Sequence, residues 1–247
     1  MFSDLRIKLF ADGADLGDIL ELSANPLIAG FTTNPTLMRK AGVTDYESFA
    51  RRVLEAVPDR PVSLEVFADG FAEIEAQALQ IAAWGDNVYV KVPVTNPEGE
   101  PSNDLLRRLA FEGVKVNVTA LMTVEQVEAV RDALAAGPPS FVSLFAGRIA
   151  DTGRDPVPMV QDALALLGET PHLSLVWASP REVLNIFQAD AVGCHVITAT
   201  SDILRKLAFV GKDLREFSLE TVRMFHADAQ AAGYTLEPTE SKLGVGA

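Results

Sequence analysis

Short apolar runs alternate with amphipathic stretches along almost the whole chain. Eight of these runs have the length and the β-branched content of strands. They occupy residues 7–11, 28–31, 62–66, 88–92, 116–118, 141–144, 173–177 and 195–198. Successive runs start 21 to 34 residues apart, which is the length of one strand–helix unit.

The segments between the runs carry apolar residues at helical spacing. They predict helices over residues 16–24, 46–57, 71–83, 103–112, 124–135, 157–167, 181–187 and 203–209, and one more over 214–232. Helix starts are also marked. Thr123 and Gln126 have the spacing of a capping box, and Asp155 and Ser179 each precede a proline that suits a first helical position.

Eight consecutive strand–helix units predict the α/β class and a single (β/α)8 TIM barrel with an extra C-terminal helix. We expect the barrel and this helix to span residues 1–236, and residues 237–247 to form a flexible tail. The alternative is a doubly wound open sheet, which usually has fewer strands and often a glycine-rich first turn. The first turn here, residues 12–15, reads Asp-Gly-Ala-Asp and lacks that pattern.

Composition narrows the class of protein further. The chain has 247 residues, of which 48% are hydrophobic, enough for one large buried core. It has no apolar stretch near the ~18 residues of a membrane span and no signal-peptide pattern at its start. Its one cysteine, Cys194, precedes an apolar run, and we expect it to pack in the core. These features predict a cytoplasmic protein with no membrane partner.

The formal net charge of −13 argues against nucleic-acid binding, because phosphate backbones need basic surfaces. It is compatible with a small phosphorylated substrate held by a local arginine cluster. The three histidines, His172, His195 and His226, are dispersed and the chain has no metal-binding motif, so we expect no metal.

Lys91 lies in the middle of the apolar segment 87–94. Burial disfavours the charged ammonium, and a neutral amine is a nucleophile toward carbonyl carbons. The other six lysines lie at the edges of apolar runs or in polar segments. The sequence therefore singles out Lys91 as a candidate Schiff-base lysine. The alternative is a lysine whose amine reaches solvent or neutralises a carboxylate.

Every predicted strand ends at, or runs into, a reactive or hydrogen-bonding side chain. In chain order these are Asp12; Thr32, Thr33 and Asn34; Glu65; Lys91; Asn117 and Thr119; Ser143 and Arg148; Ser179 and Arg181; and Thr198, Thr200 and Ser201. The carboxyl ends of the strands form the active face of a (β/α)8 barrel. A polar group on all eight strands is hard to explain by solvation alone.

Strand alternation predicts which of these groups point inward. Lys91 lies opposite Val90 and Val92, and Glu65 lies opposite Leu64, so both should face the barrel interior near Asp12. Imine formation needs an amine and a carboxylate that carries protons, and carbon–carbon cleavage then needs a base. Alternatively, the two carboxylates only neutralise Lys91.

A phosphate site is expected at the last strands. The side chains of Arg148, Arg181 and Ser179 can hold a phosphate group, and a helix N-terminus predicted at Pro180 would add backbone N–H donors.

Seven segments, in this order, resemble the transaldolase family, a class I aldolase family that includes fructose-6-phosphate aldolase-like enzymes. They are GFTTNP, SLEV, VKVPVT, VNVT, SLFAGRIAD, WASPRE and CHVITAT, and the resemblance runs from residue 12 to residue 207. It implies a Schiff-base role for Lys91, acid–base catalysis by Asp12, and a catalytic water held by Glu65 and Thr119. It implies no cofactor.

The same resemblance implies substrate-binding positions. Asn34, Asn117 and Ser143 would bind a dihydroxyacetone unit, and Arg148, Ser179 and Arg181 would bind the phosphate of the sugar. Glu65 and Phe145 match the transaldolase branch, whereas aldolases of the family carry glutamine and tyrosine at these two positions. A phenylalanine cannot help to place a hydrolytic water, so the covalent intermediate would await an acceptor aldehyde.

These positions imply transfer of a dihydroxyacetone unit from a ketose phosphate, such as fructose 6-phosphate, to an aldose phosphate, such as erythrose 4-phosphate. The alternatives are an aldolase that releases free dihydroxyacetone, a barrel that binds sugar phosphates without turnover, and a decarboxylase or isomerase barrel without an imine. The partners expected are sugar phosphates and other copies of the chain. The helix over 214–232 is a candidate contact element, and the alternative is that its apolar positions cover the barrel.

The chain departs from the family pattern in three places. The loop 96–102 is longer than in the short aldolase-like members, Pro180 replaces an aromatic residue, and Arg154 has no counterpart.

Overall fold

The computed structural model describes residues 5–236 and contains eight strands in the predicted order. They are β1 (Lys8–Asp12), β2 (Ile28–Thr32), β3 (Val62–Glu65), β4 (Val88–Pro93), β5 (Val116–Leu121), β6 (Ser140–Leu144), β7 (Leu173–Trp177) and β8 (Val196–Thr200). Each strand pairs in parallel with the next, and β8 pairs with β1 to close the barrel. The predicted (β/α)8 barrel is confirmed, and the open sheet is wrong.

Helices connect the strands. They are α1 (Leu16–Ser23), α2 (Pro35–Lys40), α3 (Tyr46–Ala56), α4 (Phe71–Ala82), α5 (Asn103–Phe111), α6 (Val124–Ala133), α7 (Ala146–Asp151), α8 (Val157–Leu167), α9 (Leu184–Ala191), α10 (Ser201–Arg205), a 3-10 helix (Lys206–Phe209) and α11 (Leu214–Ala231). The barrel unit ends at Lys206, and a second compact unit begins at Leu207 and contains α11. Across residues 5–236, no helix is both long and apolar enough to cross a membrane. The expected tail over 237–247 lies outside the described residues.

Valines form the outer face of β4, which lies beneath the helices. In β4, Val88, Val90 and Val92 are at most 3% exposed, and Tyr89 and Lys91 alternate with them on the inner face. Burying such side chains is the main favourable contribution to the free energy of folding.

Aromatic rings line the amino-terminal half of the barrel interior. Phe10 and Phe141 meet edge to face at 5.5 Å between ring centroids, and Tyr89 lies 4.3 Å from Phe141. Val176 and Val196 belong to the same apolar cluster. The candidate site residues lie at the opposite end, at the carboxyl ends of the strands.

Two short helices were not predicted from the sequence. Helices α2 and α7 each contain six residues, which is less than two helical turns, so neither shows an apolar period. Helix α2 begins after Asn34, whose side-chain Oδ1 accepts from the Leu37 N–H at 2.9 Å, with Pro35 at the first helical position.

The predicted helix over 181–187 is wrong at its start. Ser179 has φ of +62°, and the Asn185 side chain accepts from the backbone N–H groups of Arg181 and Glu182 at 2.7 and 3.2 Å. These contacts hold the segment as a loop, so the helix begins at Leu184. The helix N-terminus predicted at Pro180 is therefore absent.

Other element boundaries also differ from the sequence prediction. Strand β5 continues past 118 to Leu121, with a register shift beside Ala120 at φ of +65°. The helix predicted over 203–209 divides into α10 and the 3-10 helix.

One of the remaining predicted helix caps is confirmed and the other is displaced by one residue. The capping box of Thr123 and Gln126 is confirmed. Helix α8 starts at Val157 with Pro156 as its N-cap, so the cap predicted at Asp155 is wrong by one position, although Asp155 accepts from the Val157 N–H at 3.0 Å.

Candidate active site

A cavity of about 510 Å³ opens at the carboxyl ends of the barrel strands. The structure brings all eleven predicted site residues to its lining. They are Asp12, Asn34, Glu65, Lys91, Asn117, Thr119, Ser143, Phe145, Arg148, Ser179 and Arg181. These side chains therefore face one shared cavity, and the hydrogen bonds of each side chain indicate its chemical role.

Lys91 reaches the cavity from the inner face of β4. Its Nζ donates to Glu65 Oε1 at 2.6 Å and also to the carbonyl oxygen of Thr33. Glu65 is the register neighbour of Lys91 on β3, and their side chains are only 7% and 12% exposed. The arrangement therefore places an amine beside a carboxylate in a nearly closed space, where a proton can pass between them.

Asp12 ends β1 on the other side of Lys91. Thr32 Oγ1 donates to its Oδ1 at 2.8 Å, and Asn34 Nδ2 donates to its Oδ2 at 3.2 Å. Burial raises the pKa of Asp12, and the positive charge of Lys91 opposes this shift. A carboxylate with a raised pKa accepts a proton more readily than an ordinary aspartate does.

The amide of Asn34 has a fixed orientation. Its Oδ1 caps α2 by accepting from the Leu37 N–H, so its Nδ2 must face Asp12. The side chain that caps α2 therefore also orients Oδ2 of Asp12, the predicted general acid–base.

A second amide is fixed on the opposite wall. Ser143 Oγ donates to Asn117 Oδ1 at 2.7 Å, and Asn117 Nδ2 donates to Ser63 Oγ at 3.0 Å. All three side chains are buried. Thr119 follows Asn117 by two positions along β5 and also lines the cavity. This wall offers neutral hydrogen-bonding groups suited to sugar hydroxyls.

Positive charge gathers at the α7 end of the cavity. The Arg148 guanidinium lies 5.9 Å from the ring centroid of Phe145. Arg181 donates through Nε to Asp151 Oδ1 at 2.9 Å, through Nη2 to Asp151 Oδ2, and through Nη1 to Ser179 Oγ at 3.0 Å. Hydrogen bonding from Arg181 holds the pKa of Asp151 below its usual value. Two arginines and a hydroxyl therefore occupy the end predicted to hold phosphate.

The sequence analysis assigned no role to Asp151, and the structure shows that it orients Arg181. A carboxylate three positions after Arg148 is a visible signal, but its partner lies 30 residues away along the chain. The pairing became apparent only when α7 was placed against the loop after β7.

Four threonines were noted at strand ends without a role, and three of them make contacts in or behind the cavity. Thr32 bonds Asp12 and lies 2.5 Å from the hydroxyl of Thr198. Thr33 contacts both Glu65 and Lys91. Thr32 and Thr198 line the cavity, whereas Thr33 is 0% exposed and lies behind its wall.

Three other singled-out features lie outside the cavity. Arg154 is exposed and donates to Thr152 Oγ1 at 2.9 Å. The loop 96–102 is closed by its own contacts, including Asn96 Nδ2 to Glu100 Oε2 at 2.8 Å. Cys194 is buried, and burial raises the pKa of its thiol to about 11. A buried thiol of this kind suits packing rather than nucleophilic chemistry.

The fold and the cavity place the chain among the aldolase-like (β/α)8 barrels. The sequence profile of the Transaldolase/Fructose-6-phosphate aldolase family matches residues 9–239. The chain belongs to this family, which includes transaldolases and fructose-6-phosphate aldolases.

Two relatives illustrate the level of similarity. A probable transaldolase of Dehalococcoides mccartyi is 34% identical over 202 residues, covering 81% of this chain and 90% of the relative. A probable transaldolase of Nitrosopumilus maritimus is 32% identical over 203 residues, covering 81% and 87%. The crystal structure of 3-hexulose-6-phosphate synthase from Salmonella typhimurium aligns with a TM-score of 0.54 at 17% identity, covering 81% of this chain and 91% of that one. At this identity the structural likeness supports the fold alone.

Proposed function

We propose that this protein is a transaldolase that moves a dihydroxyacetone unit from a ketose phosphate to an aldose phosphate through an imine on Lys91. The observation that carries the proposal is the position of the Lys91 amine. It faces a cavity that holds two carboxylates near the amine and two arginines at one end. Fructose 6-phosphate as donor and erythrose 4-phosphate as acceptor suit this arrangement.

Imine formation starts with a proton transfer from the Lys91 ammonium to Glu65. The freed nitrogen electron pair forms a bond to the ketose carbonyl carbon, and the carbonyl oxygen takes a proton from that nitrogen. The resulting hydroxyl group receives the proton held by Glu65 and leaves as water, while the nitrogen pair forms the C=N bond. No net proton is gained or lost, so one lysine and one carboxylate suffice.

Cleavage then uses Asp12. Its carboxylate takes the proton of the hydroxyl group on the carbon beyond the breaking bond, and that oxygen forms the aldehyde. The electron pair of the broken carbon–carbon bond moves toward the iminium nitrogen, which leaves a neutral enamine on Lys91. The raised pKa of Asp12 supports this role, because it lowers the free-energy cost of protonating the Asp12 carboxylate.

Transfer depends on keeping the enamine until an acceptor arrives. The acceptor aldehyde would add by the reverse of cleavage, and water held by Glu65 and Thr119 would then hydrolyse the imine. Phe145 lines the cavity without a hydroxyl group that could activate water early. Arg148, Arg181 and Ser179 would hold the phosphate and fix the sugar chain along the cavity.

Acceptor dependence tests this proposal. The protein is incubated with fructose 6-phosphate, and release of glyceraldehyde 3-phosphate is followed with and without erythrose 4-phosphate, with Lys91→Met as control. We expect continuous release only with the acceptor, and about one equivalent per active site without it. Continuous release of glyceraldehyde 3-phosphate and free dihydroxyacetone without acceptor would contradict transfer and indicate an aldolase.

We also propose that the protein acts as a homo-oligomer, with α11 contacting a second copy of the chain. No residue of α11 is buried, and Leu214, Val222 and Phe225 are 60–79% exposed. Exposed apolar side chains at helical spacing favour an interface. Phe225→Glu should lower the mass measured by light scattering, whereas Gln230→Glu, which adds the same charge to the same helix, should not. An unchanged mass in Phe225→Glu would contradict this role for α11.

A further inference from the structure

We propose that Thr33 is a positioning residue that gives the two oxygens of Glu65 different tasks during imine formation, an inference that rests on the proposed function. Thr33 Oγ1 donates to Glu65 Oε2 at 2.8 Å, while Lys91 Nζ donates to Glu65 Oε1 at 2.6 Å. The hydroxyl of Thr33 also lies 3.1 Å from the Ser63 carbonyl, but its one hydrogen favours the nearer, charged oxygen.

Thr33 also contacts the amine through its backbone. Its carbonyl oxygen accepts from Lys91 Nζ, and its own N–H donates to the Ser63 carbonyl at 3.2 Å, which fixes the peptide against β3. The contacts among Thr33, Glu65 and Lys91 form a closed triangle. Because Thr33 is 0% exposed and lies outside the cavity lining, it acts on the substrate only through the other two residues.

These hydrogen bonds among Thr33, Glu65 and Lys91 determine which oxygen of Glu65 receives the Lys91 proton. With Oε2 occupied by the Thr33 hydroxyl, the proton leaving Nζ binds Oε1, which lies beside the nitrogen. From Oε1 it can move to the hydroxyl group of the carbinolamine, which departs as water as the C=N bond forms. Without the Thr33 hydroxyl, the carboxyl group can rotate and carry its proton away from this position.

Thr33→Val tests the inference, because valine keeps the shape and the backbone carbonyl but removes the hydroxyl. Thr33→Ser restores the hydroxyl and serves as the matched control. The readouts are kcat and KM for transfer from fructose 6-phosphate, the rate of borohydride-trapped adduct formation on Lys91, and inhibition by inorganic phosphate.

We expect kcat and the trapping rate to fall about tenfold or more in Thr33→Val, with KM and phosphate inhibition unchanged. Thr33→Ser should regain most of the loss. A trapping rate in Thr33→Val equal to that of the unmodified protein would overturn the inference and leave the proposed function intact. A weakened phosphate inhibition would also overturn it, because it would indicate a general distortion of the cavity.

Failure of the unmodified protein to trap any adduct would instead contradict the proposed function itself. If Thr33→Val does not fold, Thr33→Ala gives the same comparison, since it too removes the hydroxyl and keeps the carbonyl.

Discussion

At the residue scale, two carboxylates of one cavity differ because their neighbours differ. Glu65 faces the Lys91 amine at 2.6 Å, whereas Asp12 receives hydrogen bonds from the neutral side chains of Thr32 and Asn34. Burial raises the pKa of Asp12 despite the charge of Lys91. The proposed function therefore assigns proton exchange with the amine to Glu65 and proton exchange with the substrate to Asp12.

Asp12→Asn should block carbon–carbon cleavage but not imine formation. An amide cannot take the substrate proton, so kcat should fall about 10²- to 10⁴-fold. Borohydride reduction with fructose 6-phosphate should then leave a full six-carbon sugar phosphate on Lys91, read by intact mass. A three-carbon adduct accumulating at the normal rate would show that Asp12 is not the base.

The same substitution should stabilise the fold at neutral pH. Because the pKa of Asp12 is raised in the folded state, the native protein binds this proton more tightly than the unfolded chain does. The contribution of Asp12 to the free energy of unfolding is therefore largest at low pH, and it is lost as pH rises through the pKa of Asp12 in the folded state. Asp12→Asn removes that loss, so its Tm at pH 7.5 should rise by about 2–4 °C for each kcal/mol regained.

Thermal unfolding at several pH values checks this effect, with the exposed Asp162→Asn as control. The gain in Tm should shrink as pH falls, because Asp12 of the unmodified protein, with its raised pKa, becomes protonated in the folded state. A lower Tm in Asp12→Asn at pH 7.5 would contradict the sign of the pKa shift.

Single residues differ in how well the sequence reveals them. Lys91 could be found because its valine neighbours show that the strand is buried, and Glu65 because strand parity shows the inner face. Thr33 could not be assigned, since its hydroxyl and carbonyl serve residues on two other strands. The pairing of Asp151 with Arg181 likewise depends on contacts distant in sequence.

At the element scale, α7 and the loop after β7 together form the end of the cavity that we propose holds phosphate. Gly147 on α7 donates its N–H to the Ala178 carbonyl at 3.3 Å, and a Cβ at position 147 would collide with the Ser179 carbonyl. Glycine therefore lets α7 approach the loop closely enough for Asp151 to reach Arg181.

Gly147→Ala should weaken phosphate binding, because backbone atoms must move to admit the methyl group. We expect KM for fructose 6-phosphate to rise about tenfold or more, with a much smaller effect on unphosphorylated fructose. Steady-state kinetics with both donors checks this, and Ala150→Ser, at an exposed position of the same helix, is the control. Equal effects on both donors would contradict a specific role at the phosphate end.

The capping box of α6 should contribute stability without affecting chemistry. Thr123→Ala removes the side-chain acceptor for the Gln126 N–H, so the free energy of unfolding should fall by about 1 kcal/mol. Denaturant unfolding measures this change, and kcat should stay the same. Thr123→Ser should retain most of the stability, and an equal loss in both variants would mean that the cap hydroxyl is not responsible.

Helices with several helical turns, and strands with a clear alternation of apolar and polar residues, could be predicted from the sequence. Short helices could not. Helices α2 and α7 are too short to show a period. The start of α9 depends on the left-handed backbone of Ser179 and the side chain of Asn185. Ser179 lies against Gly147 of α7, a contact distant in sequence that no local pattern reveals.

At the scale of the whole molecule, closure of the barrel explains why every strand end is polar. The eight strand–helix units in the sequence predicted a closed barrel, and the pairing of β8 with β1 confirms it. That pairing brings Thr198 beside Thr32 and places Asp12 in the same cavity as Lys91. An open sheet would have separated the first strand from the last.

The net charge of −13 contrasts with the arginine end of the cavity. An acidic protein does not attract anionic sugars over long distances, so their affinity must come from close contacts. Under the proposed function, Arg148, Arg181 and Ser179 would supply such contacts at one end of the cavity. We therefore expect a sugar phosphate to bind in a single orientation, with its carbonyl toward Lys91.

Borohydride trapping with fructose 6-phosphate, followed by peptide mapping, tests the central claim most directly. We expect a three-carbon dihydroxyacetone adduct on the peptide that contains Lys91, and no adduct in Lys91→Met. An adduct on another lysine, or none in the unmodified protein while inorganic phosphate still binds, would contradict the imine on Lys91.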